Sequence, residues 1–301
     1  METGRYYLGR VIKMGFLDQT KLMDAIVQCP PQTIGKFSWA ITDVVDRRHS
    51  DDLPHVFGKL SKYSAEGAVT IVDTSKKHQV PAVAKNLLVA SSPFVYLPQF
   101  SGIAYLHVWN EIQEDVFPRR FKALIERVYE NFFVECTIEP IADYRAFISK
   151  LKEMERITEI SAKVNPPNPL FGRLWKRLRE YIEARNATEV LVREQNKEGG
   201  SLNTQIIELI SQIVEEPRME KRAEPVAVPE PSITDSALLM AADGYGHGKV
   251  VGERKEERLI VRTSDSKQSF PFPKVPDHLE LAKEAESHLK RVSGERGMEH
   301  P

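Results

Sequence analysis

The chain has 301 residues, of which 41% are hydrophobic and 28% are charged, a composition that excludes wholesale disorder. Its length is sufficient for two domains. Lysine plus arginine (42) nearly balances aspartate plus glutamate (43), which excludes a strongly basic domain, so any anion-binding surface must arise from local clustering.

The two cysteines, Cys29 and Cys136, lie far apart and have no metal-ligand spacing. They indicate buried thiols in a reducing compartment rather than a disulfide framework or a zinc site. The first 13 residues contain no long apolar segment, and no run of about 18 apolar residues occurs anywhere in the chain. We therefore expect a cytoplasmic protein of bacterial or phage origin without membrane insertion.

Strand patterns dominate the first half of the chain. Aromatic and β-branched residues are punctuated by Gly, Pro, Ser and Asp, which is typical of an antiparallel meander. One amphipathic helix, Asp18–Gln28, lies among them and ends before Pro30. The predicted strands are Arg5–Lys13, Phe37–Val45, Val56–Tyr63, Ala68–Val72, Phe94–Leu97 and Ile103–Trp109.

The hydrophobic period then becomes helical. Arg119–Asn131 and Ile141–Met154 each place apolar residues on one helix face, and the strand Phe132–Ile138 separates them. We place a domain boundary at 152–156. Residues 1–154 are thus predicted to form a β-rich N-terminal domain containing an antiparallel sheet.

Residues 155–292 are predicted to form an α+β C-terminal domain, so the fold class of the whole chain is α+β. Segment 217–231 is rich in proline and charge and is interpreted as a linker-like insertion, and 293–301 as a frayed tail. The predicted elements are strands Ile157–Val164, Glu189–Val192, Ser236–Ala242, Gly248–Gly252 and Arg258–Thr263, and helices Leu170–Arg185, Thr204–Glu215 and His278–Arg291.

A basic helix is the most distinctive charged feature. Arg173, Lys176, Arg177 and Arg179 surround Trp175 directly after a proline-rich turn. Clustered cations bind phosphates with release of counterions, and an aromatic ring can stack on an unpaired base. The alternative is an ordinary solvated helix face, with Trp175 packed in the core.

A second basic set lies in the C-terminal hairpin. Lys249, Arg254, Arg258 and Arg262 are placed to line one face of a β-ribbon, a geometry that nucleic-acid-binding proteins use. Three glutamates dilute this set, so a mixed-charge hairpin surface is the alternative. Both basic sets are hypotheses for a nucleic-acid-binding site.

No motif assigns a catalytic residue, a metal ligand or a cofactor. The glycine-rich segment Gly244–Gly248 lacks the Lys-Ser/Thr ending of a P-loop and is interpreted as a tight turn. A nuclease needs convergent acids, for which Asp43, Asp46, Glu135 and Glu139 are loose candidates without diagnostic spacing. Binding is therefore a better hypothesis than chemistry.

Three short segments carry a family resemblance: Phe94–Trp109, Phe133–Pro140 and Ile157–Val164. Together with the hairpin Gly248–Thr263, their order resembles the RexA-like phage exclusion proteins and the KwaB-like defence proteins. The matching motifs are Ile138-Glu139-Pro140 at one strand end and Ala162-Lys163 at another.

The resemblance implies a non-enzymatic, sequence-independent DNA-binding protein of an antiviral defence system. It also implies a homodimer that works with partner proteins from the same defence operon. It supplies no catalytic residues, so the candidate contacts with the DNA phosphate backbone are those of the two basic sets. A metal-dependent nuclease and a protein-interaction adaptor stay open as alternatives; scattered basic patches beside an exposed apolar patch would favour the adaptor.

Overall fold

A computed structural model describes residues 2–75, 77–166, 169–215 and 231–299. Apart from its last residue, the predicted linker-like segment 217–231 lies outside these ranges. The predicted α+β class is confirmed, with a curled antiparallel sheet, a second smaller sheet and several helices. In the described part of the chain, no helix is both long and apolar enough to cross a bilayer.

The helices are α1 Gln19–Gln28, α2 Val116–Val128, α3 Tyr144–Leu151, α4 Lys176–Ala184, α5 Ile206–Glu215, α6 Ile233–Met240 and α7 His278–Glu295. The strands are β1 Thr3–Gly15, β2 Gln32–Ile34, β3 Phe37–Arg47, β4 His55–Asp73, β5 His78–Leu97, β6 Gly102–Leu106, β7 Val134–Pro140, β8 Arg156–Val164, β9 Phe171–Gly172, β10 Val190–Gln195, β11 Gly246–Arg254, β12 Glu257–Arg262, β13 Ser269–Pro273 and β14 Met298–Glu299.

The first sheet has eight strands in the order β13-β1-β6-β5-β4-β3-β2, and β7 pairs with β1. Its strands alternate between two cores, because successive side chains of a strand point to opposite faces. Phe94 and Tyr96 pack on the face that α1 and α2 cover, whereas Val95 and Leu97 pack on the face that α7 covers. Both faces of the central strands are therefore buried.

Strands β4 and β5 extend far beyond the rest of this sheet. The strand β3 pairs with β4 only as far as Tyr63, and β6 pairs with β5 only from Phe94 onward. Between these limits, β4 and β5 pair with each other along 64–89, a two-stranded segment that we call the arm. The sequence pattern predicted two short strands in β4 and only the last four residues of β5.

The second sheet has the order β10-β8-β11-β12. Helices α3 to α6 cover one of its faces, where the side chains of Ile160, Val250 and Val261 join a common core. The other face is open to solvent.

The predicted strand 236–242 is wrong, because most of this segment lies in helix α6. Residues 234–240 are all buried, and the apolar run that begins at Ala237 continues through Ala242, so the segment has no helical period in the sequence.

A buried polar network joins the two sheets. The carboxylate of Asp243 accepts hydrogen bonds from Tyr144 Oη (2.7 Å), Trp175 Nε1 (2.9 Å) and Arg296 Nη1 (2.8 Å). Burial and the Asp243 carboxylate raise the pKa of Tyr144 well above its ordinary value. From β1, the fully buried Arg10 donates to the backbone oxygen of Asp243 (2.9 Å).

Two features differ from the predicted domain organisation. The tail was expected to fray from residue 293, but Arg296 is buried in the network, and β14 pairs with β9. The segment containing β13 and α7 was assigned to the C-terminal domain, but β13 pairs with β1 and α7 covers the first sheet. The boundary at residue 154 stays a prediction.

Candidate functional site

The basic helix places its four cations separately. Arg173, Lys176 and Arg177 are exposed, with Lys176 Nζ 3.8 Å from Glu180. The guanidinium of Arg179 lies 4.6 Å from the centre of the Phe171 ring, so this side chain packs along the helix instead of projecting from it. Helix α4 thus presents a mixed, solvated surface.

Trp175 corrects the stacking hypothesis. Its side chain is 1% exposed and donates to Asp243, and its ring packs edge-on against Tyr245 at 5.7 Å. A nucleic-acid base cannot stack on the ring in this position. Of the two interpretations of Trp175, the one that packs it in the core is correct.

The hairpin cations lie on β11 and β12. Lys249 and Arg262 are directly opposite each other and project from the open face of the second sheet, as the alternation predicted. Lys249 Nζ is 3.0 Å from the buried carboxylate of Glu159, which Arg193 also contacts. Burial raises the pKa of Glu159, but these hydrogen bonds outweigh burial and hold that pKa below its ordinary value.

Acidic side chains accompany the remaining hairpin cations. Arg254 Nη1 lies 2.8 Å from Glu153, and Arg258 is opposite Glu253 in the register. A shallow depression of about 480 Å³ beside Arg258 is lined by two arginines and three glutamates, together with uncharged residues. This composition gives little local excess of positive charge, which phosphate binding requires.

The structure does not bring the two basic sets together. The helix set lies on the side of the second sheet that α6 covers, because α4 packs on α6. Lys249, Arg258 and Arg262 project from the opposite, open face, since their positions alternate with the buried Val250 and Val261. Arg254 shares the face of Val250 and pairs with Glu153, so the four hairpin cations do not line one face as predicted. A single flat phosphate backbone cannot contact both sets at once.

The four nuclease candidates also lie apart. Asp43 and Asp46, both on β3, form ion pairs with Lys59 (2.7 Å) and Arg48 (2.8 Å), respectively. The acids on β7 pair elsewhere, with Glu135 3.1 Å from Lys122 and Glu139 3.9 Å from His247. Across the described ranges, no three potential metal ligands form a group.

The glycine-rich segment is a turn, as predicted. Gly244 has φ +88° and closes the short π-helical turn that follows α6. At Gly246, φ is +154°, and an added Cβ would lie 2.1 Å from the backbone oxygen of Lys163. Glycine is therefore required for the close approach of β11 to β8.

A concave surface lies on the first sheet, and Asp43, one of the acids considered for a nuclease, lines it. It encloses about 760 Å³ on the face that α7 covers, just beyond the start of that helix. His278, the first residue of α7, stacks on His55 and lies over Phe57 on β4. Farther along β4, the partly exposed Lys59 and the buried Ser61 line the cavity, which we call the groove.

Small side chains form the floor of the groove. Ala40, Ser61 and Ser91 are neighbours across β3, β4 and β5, and their size leaves a depression in the sheet face. Ser61 Oγ and Thr42 Oγ1 share a hydrogen bond of 2.8 Å. The buried Ser91 Oγ has no hydrogen-bond partner among the described residues.

Larger apolar side chains form the walls. Leu88 stands at the base of the arm, Leu106 ends β6, and Val108 follows that strand. Trp109, at the mouth, is 75% exposed, and its ring lies 5.6 Å from that of His107. Exposed aromatic and aliphatic side chains around a concavity are typical of binding sites.

The charged residues at the groove compensate one another. Lys59 pairs with Asp43, and Lys274 Nζ contacts Glu2 at 2.5 Å. His107 Nδ1 lies 2.8 Å from Glu114. The groove is thus locally neutral and mostly apolar.

The arm continues the wall of the groove. On the face that carries Leu88, the cross-strand pairs are Gly67 with Ala84, Val69 with Ala82, and Ile71 with Val80. This face contains no charged side chain between these pairs and the groove, and Ile71 and Leu88 are 49% and 58% exposed. The groove, whose charged residues are paired, and the uncharged face of the arm thus form one continuous surface.

The chain matches one known protein family. A family model described as a domain of unknown function (DUF4747) matches residues 21–214, more than half of the chain. The chain belongs to the DUF4747 family. A comparison with curated proteins finds no match.

The DUF4747 match contains most of the groove. It includes the floor strands β3 to β5, the whole arm and the wall formed by β6. The basic helix also lies inside the match, whereas the hairpin cations, β13 and α7 lie outside it. The floor and the arm are therefore features of the family region of this chain.

Proposed function

We propose that this protein is an adaptor that binds an uncharged, extended segment of a partner protein in the groove and against the arm. One observation carries the proposal: the groove, whose charged residues are paired, and the uncharged face of the arm form one continuous surface on a sheet. Contiguous apolar surface of this kind marks protein contact sites.

The chemistry of the groove favours a peptide with alternating apolar side chains. Leu88, Val108 and Trp109 supply apolar contact area, while Thr42 supplies a hydroxyl group beside the floor. An extended segment presents side chains to one face at every second residue, and its backbone groups can bond to such a hydroxyl. The compensated charges at the rim disfavour a polyanion.

The proposal is tested by selecting ligands from a random peptide library displayed on phage. Trp109 supplies the readout, because it is the exposed tryptophan of the three, with Trp39 and Trp175 3% and 1% exposed. A groove-bound peptide shifts the emission of Trp109 to shorter wavelength, and Trp109→Phe removes that shift.

A matched pair of variants identifies the surface. Ser61→Leu fills the floor of the groove and is expected to abolish peptide binding, whereas Ser64→Leu, on the opposite face of the same strand, leaves it unchanged. Selected peptides whose binding is the same in both variants would contradict the groove as the site. Circular dichroism verifies that both variants are folded.

DNA-backbone binding is a second candidate, supported by one observation. Lys249, Arg262 and Arg258 all project from the open face of the second sheet. Random-sequence duplex DNA would bind with a steep salt dependence that Arg258→Ala and Arg262→Ala reduce. The acids on the same face make this candidate the weaker of the two.

The setting in antiviral defence, implied by the resemblance to RexA-like proteins, is also part of the proposal. The partner segment would then belong to a protein encoded in the same defence operon. Efficiency of phage plaquing on cells that express the wild type or Ser61→Leu tests this setting. Equal plaquing on both strains and on cells without the gene would contradict it.

A further inference from the structure

The arm leaves two strand edges unpaired. Within the described residues, β4 has no neighbour other than β5 along 64–73, and β5 has no other neighbour along 78–92. Each edge therefore presents a row of backbone N–H and C=O groups to solvent. A two-stranded ribbon is marginally stable in water on its own, and a third strand would stabilise it.

The two edges are protected differently. Proteins block exposed edges with proline and lysine, and β5 carries both, as Pro81 and Lys85. In contrast, 64–73 of β4 contains neither residue type, and Gly67–Val72 contains no charge. The β4 edge is thus open to pairing with another strand.

We propose that the β4 edge of the arm pairs antiparallel with the same edge of a second copy of this chain. Identical strands related by a two-fold axis pair antiparallel, so one segment supplies both halves of the interface. An axis near Val69, in the middle of 64–73, joins the two arms into one four-stranded sheet. The inference rests on the arm as a contact surface, which is part of the proposed function.

The sequence of the segment is compatible with self-pairing. With Val69 opposite its counterpart, Glu66 faces Val72, so no like charges are directly opposed between these positions. Glu66 is already opposite Lys85 of its own arm. The same two-fold axis places the uncharged faces of both arms on one side, next to both grooves.

The test uses two opposite charges at one position. Val69→Lys and Val69→Asp each place like charges together at the axis, and we expect the dissociation constant of the dimer to rise at least about tenfold in each variant. An equimolar mixture of the two variants is expected to form a heterodimer. Light scattering coupled to size-exclusion chromatography measures the mass in every case.

Val83→Lys is the matched control. It adds the same charge to another valine of the arm, which lies on β5 and is 69% exposed. This variant is expected to stay a dimer. A wild type that is monomeric at all concentrations would overturn the inference, as would a dimer that neither charge at Val69 weakens, or a mixture that does not reassociate.

The outcome is separable from that of the proposed function. Val69 lies on the arm face that the peptide is proposed to contact, so peptide binding is measured on the wild type, at protein concentrations below and above the dissociation constant of the dimer. Retained peptide binding without a wild-type dimer would refute the pairing alone. A dimer without peptide binding would refute the adaptor proposal alone.

Discussion

Replacing Asp243 should destabilise the fold more than any surface substitution. Its carboxylate is 3% exposed and accepts three hydrogen bonds, from Tyr144, Trp175 and Arg296. Asp243→Asn keeps the size of the side chain but leaves the Arg296 charge, 6% exposed, without its carboxylate. Removing one partner of a buried pair costs about 3–5 kcal/mol.

This cost is large relative to a typical unfolding free energy of about 5–15 kcal/mol. Urea unfolding monitored by circular dichroism measures it, and Asp243→Ala, which also loses the acceptor, is expected at the upper end of the range. The control is Asp115→Asn, whose pair with Arg119 is exposed and contributes little. An Asp243→Asn variant as stable as the control would refute the assignment of this network as the connection between the two sheets.

Three further predictions concern other buried groups. Burial lowers the pKa of Lys13 to about 8, so the unfolded state binds more protons above that pH. Stability relative to Lys13→Met should therefore rise by about 2–3 kcal/mol from pH 8 to 10.5, and a constant difference in urea unfolding would contradict this. Burial also lowers the pKa of His55, whose Nε2 lies 3.1 Å from His278, so stability relative to His55→Phe should fall as the pH drops below about 6.5. Hydrogen exchange would then increase first in the initial turn of α7. Truncation after Glu295 removes Arg296 and β14 and should lower the thermal midpoint strongly, whereas a frayed tail predicts no change.

Local signals explain the elements that were predicted correctly. In α1, Asp18 was placed at the helix start, and its side chain accepts from Lys21 N as an N-cap. The hairpin of β11 and β12 follows a clear alternation around a charged turn. Where a period or a cap operates within a few residues, the sequence alone suffices.

Tertiary burial explains the elements that were missed. Residues 234–240 of helix α6 are buried, and the run from Ala237 to Ala242 is wholly apolar, so the segment lacks the polar face that reveals an amphipathic helix. The charged residues of the tail predict a solvated segment. In the structure, Arg296 instead donates a hydrogen bond to Asp243, 53 residues earlier in the chain. No local pattern encodes such a pairing.

The candidate site was missed for a related reason. The floor of the groove consists of Ala40, Ser61 and Ser91, which are small and chemically inconspicuous in the sequence. They become a site only because three strands align them. The sequence instead indicated the charged clusters as the binding site, although Lys249 and Arg254 are paired with acids. The valines of the arm were the sequence signal for this binding surface, because a strand that is apolar on both faces must be buried or contact another chain.

The proposed function requires that the groove bind a protein segment. The most direct measurement is the emission of Trp109 during titration with a peptide selected on the wild type and, separately, with random-sequence duplex DNA, each at low and high salt. We expect the peptide to shift the emission of Trp109, with a shift that is insensitive to salt and absent in Ser61→Leu, and we expect no shift from DNA. A salt-sensitive complex with DNA, unaffected by Ser61→Leu and accompanied by no peptide response, would contradict the proposed function.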